Sequence, residues 1–264
     1  MMKCLRSGYA GGRSIRFGLV LGSFLFSATA SAIVNIEDRR ADGDADGTSG
    51  VARLSVSGDS GNSDRSDIGA GLRLFRRDRG DESLLLMDYA YGESQGVKNR
   101  HRSFIHVRHG EMFRPGTMIE GFGQVEQDDF SRLQFRGLVG AGLRFLTRSE
   151  TTRSSLGVGA FHSWERLTEA LPDERRDERL WRANLYFSVE RKLETGLTLH
   201  SSTYLQPRIG PMSDFRVLEQ FACNVPVTDA FNLRLSLDIL HDSRPPLTVE
   251  RTDFHYRTTL EVRF

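Results

Sequence analysis

From Ala52 to the carboxy terminus, apolar and polar residues alternate in successive segments, broken by clusters of Gly, Asp, Asn, Ser and Pro. A strand turns successive side chains to opposite faces, so each segment reads as a strand with one greasy and one polar side. The last thirteen residues, Thr252–Phe264, show it most clearly: Phe254, Tyr256, Thr258, Leu260, Val262 and Phe264 oppose Asp253, His255, Arg257, Thr259, Glu261 and Arg263. Ala52, Leu54 and Val56 open the series, followed by Ile68, Ala70, Leu72 and Leu74 and by Leu85, Met87, Tyr89 and Tyr91. Ser103, Ile105 and Val107 oppose Arg102, Phe104, His106 and Arg108. A weaker segment, Ile119–Val125, precedes Leu133, Phe135, Val139, Ala141, Leu143 and Phe145. Leu156, Val158, Ala160, His162 and Trp164 share a face, as do Trp181, Ala183, Leu185, Phe187 and Val189. Leu197–Leu205 and Leu233–Ile239 alternate cleanly, whereas around Phe221 the acidic Glu219 falls on the apolar side.

The pattern predicts about twelve strands, an even number, as single-chain bacterial barrels have. It excludes helical membrane spans, because no run of about eighteen apolar residues occurs. With both chain ends in the periplasm, odd strands run outward. Tyr89, Tyr91, Trp164, Trp181, Phe254 and Tyr256 then fall at the external rim and Phe264 at the periplasmic interface, where aromatic residues favour the headgroup level.

The polar faces distinguish a membrane barrel from a soluble sheet. Arg102, Arg108, Glu120, Glu126, Arg136, Arg144, Glu165, Arg182, Glu190, Arg234, Asp238, Asp253, Arg257, Glu261 and Arg263 form a mixed-sign set on the sides that closure turns inward. Facing a lumen they pair across strands, while the apolar sides meet lipid. In lipid every backbone group needs a partner, so the sheet has to close. The predicted fold is all-β: a closed antiparallel transmembrane β-barrel of about twelve strands, with Thr252–Phe264 pairing back to the first strand near Val51–Gly58. Gly137, Gly140, Gly142, Gly157 and Gly159 are expected to ease curvature or to admit bulky neighbours in the lumen.

The amino terminus changes the charge and the compartment. Lys3, Arg6, Arg13 and Arg16 precede an apolar run Phe17–Phe26, and Ala30-Ser31-Ala32 has the form of a cleavage site, which predicts a secretory signal peptide over 1–32 cut after Ala32. Removing it leaves 232 residues and moves the formal charge from +1 to −3, so nothing favours nucleic acid as a partner. Cys223 alone then remains, so no intrachain disulfide is expected. A polar acidic segment, 33–49, leads into the barrel, 50–264.

Four groups of residues suggest chemistry. Asp42-Gly43-Asp44-Ala45-Asp46-Gly47 matches the first half of a calcium loop, but Arg53 stands where the bidentate Glu belongs, which favours a solvated linker. His200 and Ser202 share a strand face, so the His could serve as base to a Ser nucleophile, although on the luminal side polar filling is the stronger reading. His162 and Ser163 point to opposite faces. His106, His200 and His255 lack metal-ligand spacing, and no cofactor or metal is expected.

Asn35-Ile36-Glu37, Gly61-Asn62-Ser63-Asp64, Glu120-Gly121-Phe122-Gly123-Gln124 with Asp128, Phe130, Leu133 and Arg136, and Asp242-Ser243-Arg244-Pro245-Pro246 with Asp253 resemble the family of uncharacterised salt-induced outer-membrane proteins. That resemblance implies a bacterial outer-membrane barrel without assigned catalytic residues. Tyr256, Leu260, Val262 and Phe264 resemble the terminal signal read by barrel-assembly machinery, so that machinery, outer-membrane lipid and lipopolysaccharide are the expected partners. The leading functional expectation is a non-enzymatic barrel with an envelope-structural or osmotic and salt-adaptation role, or one in small-solute passage, in a lumen narrow enough for Arg and Glu side chains to plug it. The alternatives are an outer-membrane lipid or lipopolysaccharide hydrolase and a periplasmic β-domain. The oligomeric state stays open.

Overall fold

The computed structural model describes residues 46–61, 64–194, 196–228 and 231–262, the last three by backbone alone. Twelve strands follow one another: β1 (Gly47–Asp59), β2 (Arg65–Asp78), β3 (Asp81–Ser94), β4 (Val97–Arg114), β5 (Thr117–Asp128), β6 (Leu133–Arg148), β7 (Thr152–Leu167), β8 (Asp177–Lys192), β9 (Thr198–Pro207), β10 (Phe215–Pro226), β11 (Phe231–Asp242) and β12 (Thr252–Val262). They form a single antiparallel sheet in chain order, each strand paired with the next. Such a meander needs only short connections, and the turns say how they are made. Arg79-Gly80 and Gln95-Gly96 both hold positive φ at both residues, the conformation whose twist suits a two-residue hairpin.

The sheet is rolled. Glu82 on β3 bonds Arg144 on β6, Glu120 on β5 bonds Tyr186 on β8, and Glu165 on β7 bonds Arg216 on β10. Strands three apart touch through one face only if the wall curls around that face. Inside, residues of even number on β3–β6 and β8–β11 and of odd number on β2 and β7 are covered. Outside, Ile68, Val107, Ile119, Val139, Leu156, Phe187, Phe221 and Leu235 are exposed. A continuous apolar belt of this kind is a liability in water and an asset in lipid. The fold is thus an all-β, twelve-stranded antiparallel barrel of the transmembrane type.

Three details depart from the expectation or extend it. The polar segment 33–49 does not stay outside the sheet: Gly47, Thr48 and Ser49 pair with Arg77, Arg76 and Phe75, because ladder bonds use backbone groups whatever the side chain. Gly137 does not face the lumen but lies outside, beneath Phe135 and near Trp164, as its shared parity with Phe135 and Val139 requires, whereas Leu133, expected on that outer face, is buried because the β-bulge between Leu133 and Phe135 resets the start of β6. The connection Thr168 to Asp177 between the two tryptophans, expected from the sequence to be the longest, runs over 168–176 and is matched in length by 243–251. The leader with its cleavage after Ala32, Asp42 to Ala45, Phe264, and the side chains of Leu260, Glu261 and Val262 lie outside the described residues. The expected closing ladder between β12 and Val51–Gly58 is not among the described pairings.

One end of the barrel carries the short turns 79–80, 115–116, 149–151, 193–197 and 227–230. The other carries 60–64 and the two-residue turn 95–96 together with 129–132 and the three long connections 168–176, 208–214 and 243–251. The three longest connections thus share one end, and long loops at one end are the usual asymmetry of outer-membrane barrels.

Candidate functional site

The lumen is filled, in three tiers. At the short-turn end, Glu82 accepts from Arg144 at 3.1 Å and from Arg77 at 2.5 Å. Half-way up, Arg108 donates to Glu120 at 2.8 Å and lies 4.7 Å from the centre of the Phe122 ring, while the Tyr186 hydroxyl donates to the same carboxylate at 2.9 Å. At the long-loop end, five side chains from five strands form a chain of alternating charge. Arg136 donates to Glu126 at 2.5 Å and to Glu165 at 3.1 Å. Arg216 grips Glu165 with both terminal nitrogens, at 2.8 and 3.0 Å, and its Nε donates to Asp242 at 2.8 Å. Beside this chain Arg182, only 2% exposed, donates to Asp214 at 2.7 Å and to the backbone oxygens of Gln206 and Asp214. A buried charge is tolerable only when paired and hydrogen-bonded. Arg takes this role better than Lys because its planar fork can hold a carboxylate by two parallel bonds.

Apolar groups fill the space between the charged tiers. Phe75, Leu84, Leu86 and Phe104 form one buried cluster and Tyr186, Tyr204, Leu218 and Leu240 another. The Tyr186 and Tyr204 rings stack at 5.1 Å, and His106 stacks between Phe104 and Phe122 while bonding Gln124 at 3.1 Å. Room for these rings is made by glycines. A Cβ on Gly157 would lie 1.8 Å from Tyr186, and one on Gly140 would lie within 2.6 Å of both Phe122 and Phe161. Gly142 and Gly159 instead let the β6 and β7 backbones approach each other.

Over the long-loop end the connections are tied to one another. Arg132, in the left-handed conformation at φ 56° after the 3-10 turn Asp129–Ser131, sends its guanidinium to three loop groups: Glu174 at 2.7 and 3.2 Å, the Glu169 carbonyl at 2.5 Å and the Leu247 carbonyl at 2.6 Å. Glu174 also accepts from the Leu171 and Leu247 amides at 3.0 and 2.9 Å. Burial alone would raise the Glu174 carboxyl, but these bonds outweigh it and hold it below its usual value. Asp129 behaves alike: burial works against its charge, yet Lys98, His101 and Gln127 bring it down to about 2. The loop 243–251 is thereby drawn across to loops on the far side of the barrel. Beneath it lies a cavity of about 260 Å³ lined by Phe130, Leu133, Arg136, Arg216, Pro246 and Thr248.

Of the charged residues expected inside, Arg108, Glu120, Arg136 and Arg182 are buried in these networks. Arg102 stands opposite Asp128, Glu190 opposite His200, and Asp238 opposite His255, all half-buried. Arg234 bonds Asn224 at 3.1 Å. Arg257, opposite Ser236, is exposed. Sequence reasoning missed Glu82, Asp214, Arg216 and Asp242. Asp214 lies in a loop without periodicity, and the parity of β10, which would have flagged Arg216, is obscured by Glu219. His200 and Ser202 do meet, with Nε2 to Oγ 2.9 Å, but Ser202 is fully buried in the lumen and also bonds Ser188 at 2.8 Å. Among the described residues no group of His, Cys, Asp and Glu could hold a metal ion.

A rolled, even-stranded antiparallel wall, apolar outside and ion-paired inside, defines a barrel of the membrane-spanning class. The chain belongs to the family described as "Protein of unknown function, DUF481", whose model matches residues 52–264. Among solved structures it is similar to the NanC porin in a rhombohedral crystal form, at 12% identity over 80% of this chain and 100% of that one, with a TM-score of 0.47. It is also similar to BamA from Haemophilus ducreyi lacking POTRA domains 1–3, at 14% identity over 77% of this chain and 43% of that one, with a TM-score of 0.42. A search of curated proteins finds no match.

Proposed function

We propose that this protein is a bacterial outer-membrane barrel with an envelope-structural or osmotic and salt-adaptation role, whose lumen is closed in its resting state. The observation that carries this reading is the Glu126–Arg136–Glu165–Arg216–Asp242 chain beneath loops tied by Arg132 and Glu174. A twelve-stranded barrel is wide enough for a lumen, yet here long charged side chains meet across it. Passage of a small solute then requires the loops to part and the mouth pairs to separate. Reconstitution into a planar bilayer tests this: wild type should show no steady conductance steps, and a variant lacking 244–250 together with Arg216→Ala should show them. Steady steps from wild type would overturn the closed-lumen reading.

A second reading, hydrolysis of lipid or lipopolysaccharide, draws on the 2.9 Å contact of His200 and Ser202. It is the weaker of the two because an acyl ester approaches from the wall or rim, and Ser202 has no exposed surface. Mass spectrometry of lipids incubated with wild type and with Ser202→Ala decides it; equal product from both discards this nucleophile.

A further inference from the structure

Glu219 is an anomaly of the outer wall. It shares a face with Val217, Phe221 and Cys223 on β10, and its ladder partner on β11 is the outward-facing Ile239. It lies four residues along β10 from Phe215, about 13 Å of strand and roughly 10 Å of depth at the usual barrel tilt. That depth is within the hydrocarbon of a bilayer. Phe187, Leu199, Leu205 and Phe221 around it are all exposed apolar groups. An ionisable side chain set in such a surface is costly and usually functional. It is not isolated: Ser201 donates to one carboxylate oxygen at 3.1 Å and Thr203 donates to the other, both from the outward face of β9.

We propose that the seam between β9 and β10 is where two copies of this chain associate in the membrane. The proposal rests on the membrane reading above and names a partner for that wall. A carboxylate has about four lone-pair sites, and two hydroxyls fill two of them. Lipid chains offer nothing to the others, so at that depth the demand has to be met by protein or by water that protein traps. The arrangement of the seam favours a second copy over any other occupant. Its acceptor stands on β10 and its hydroxyls on β9, at the same level, because Thr203 pairs directly with Glu219. A two-fold axis along the membrane normal through this seam sets β10 of one copy against β9 of the other. Glu219 of each then faces the hydroxyl oxygens of its partner, whose single hydrogens stay on their own Glu219, so that water held between the two seams can donate one hydrogen to a carboxylate and the other to a partner hydroxyl, while the two carboxylates lie diagonally apart. That self-complementarity is what an isologous interface requires. Phe187, Leu205 and Phe221 surround the polar centre with apolar area that packs without a desolvation cost.

Cys223 reports on this directly, since it lies on the same face of β10 four residues from Glu219. In outer membranes from cells making the full protein, a bismaleimide should link two copies through Cys223, and Cys223→Ser should abolish the product. Glu219→Leu and the pair Ser201→Ala with Thr203→Val should each lower the linked fraction roughly tenfold, the scale that one or two hydrogen bonds supply inside a bilayer. Glu219→Gln, which keeps the shape and an acceptor, should retain most of it. Heat-modifiable gel mobility of the same samples reports separately on the barrel, so failure of the membrane reading and failure of the interface are distinguishable. Folded wild type without a linked dimer, a dimer indifferent to both polar substitutions, or linkage of Cys223 to a protein of another size would overturn the proposal.

Discussion

Removing the charge of Glu165 should loosen the barrel mouth, but removing that of Arg216 should loosen it more. Glu165 accepts three charge-assisted bonds, at 2.8, 3.0 and 3.1 Å, and its side chain is 11% exposed. Glu165→Gln keeps the shape but turns an amide NH₂ toward guanidinium donors, so at least one bond is lost and the rest become neutral-acceptor bonds. At about 1 kcal/mol for each change, the cost is about 3 kcal/mol. The five-member chain has three carboxylates and two guanidiniums, so this substitution brings its formal charge from −1 to 0. Arg216→Met also loses three bonds, yet it takes the charge to −2 and leaves Glu165 and Asp242 short of a cation in a dry site. Breaking a buried pair in this way costs about 3–5 kcal/mol. Urea unfolding of the refolded protein in vesicles, read by heat-modifiable mobility, should rank wild type above Glu165→Gln and that above Arg216→Met. Changes below about 0.5 kcal/mol for both would mean that the cluster is hydrated and the lumen open, and would refute the reasoning.

Gly157→Ala should displace Tyr186, whose ring atom lies 1.8 Å from the added Cβ, break its bond to Glu120 and cost about 1–3 kcal/mol in the same assay. The loop ties should be sensitive to acid. The Glu174 carboxyl is held below its usual value and that of Asp129 at about 2, so each stabilises the loops above its unfolded pKa and loses that contribution as pH falls through the folded one. Protection of 168–176 and 243–251 against hydrogen exchange, taken relative to the intrinsic rate at each pH, should therefore be high at neutral pH and fall below about pH 4. In Glu174→Gln that acid-induced loss of protection should shrink, and a loss as large as in wild type would remove Glu174 from the account. Ser202→Ala should leave lipid composition unchanged, as measured by mass spectrometry.

How far the sequence reveals this arrangement depends on the range of the interaction. Strand number and face came from period-two alternation, a property of neighbouring residues, and so Leu156 to Trp164 or Leu233 to Ile239 could be placed at once. In the run Leu84-Leu85-Leu86 only the outward face, Leu85 with Met87 and Tyr89, could be read from alternation; because both faces are apolar there, nothing marked the inward pair Leu84 and Leu86 as joining a buried cluster with Phe75 and Phe104. The ion pairs were illegible for a different reason. Glu82 and Arg144 are 62 residues apart and Glu165 and Arg216 are 51 apart, and only the radius of the rolled wall decides which carboxylate meets which guanidinium. Glu219 blurred the parity of β10 because it breaks the pattern on purpose-built terms of its own, with hydroxyls supplied by β9. The tie at Arg132 rests on loop geometry, which carries no periodic signal.

The account depends most on the apolar belt facing lipid and the charged face lying inside. Fractionation of cells making the full chain, followed by gel electrophoresis of heated and unheated samples, tests that directly. The protein should be found in the outer-membrane fraction and run as a compact band that shifts on boiling. A protein released with the periplasmic contents and showing no shift would contradict it.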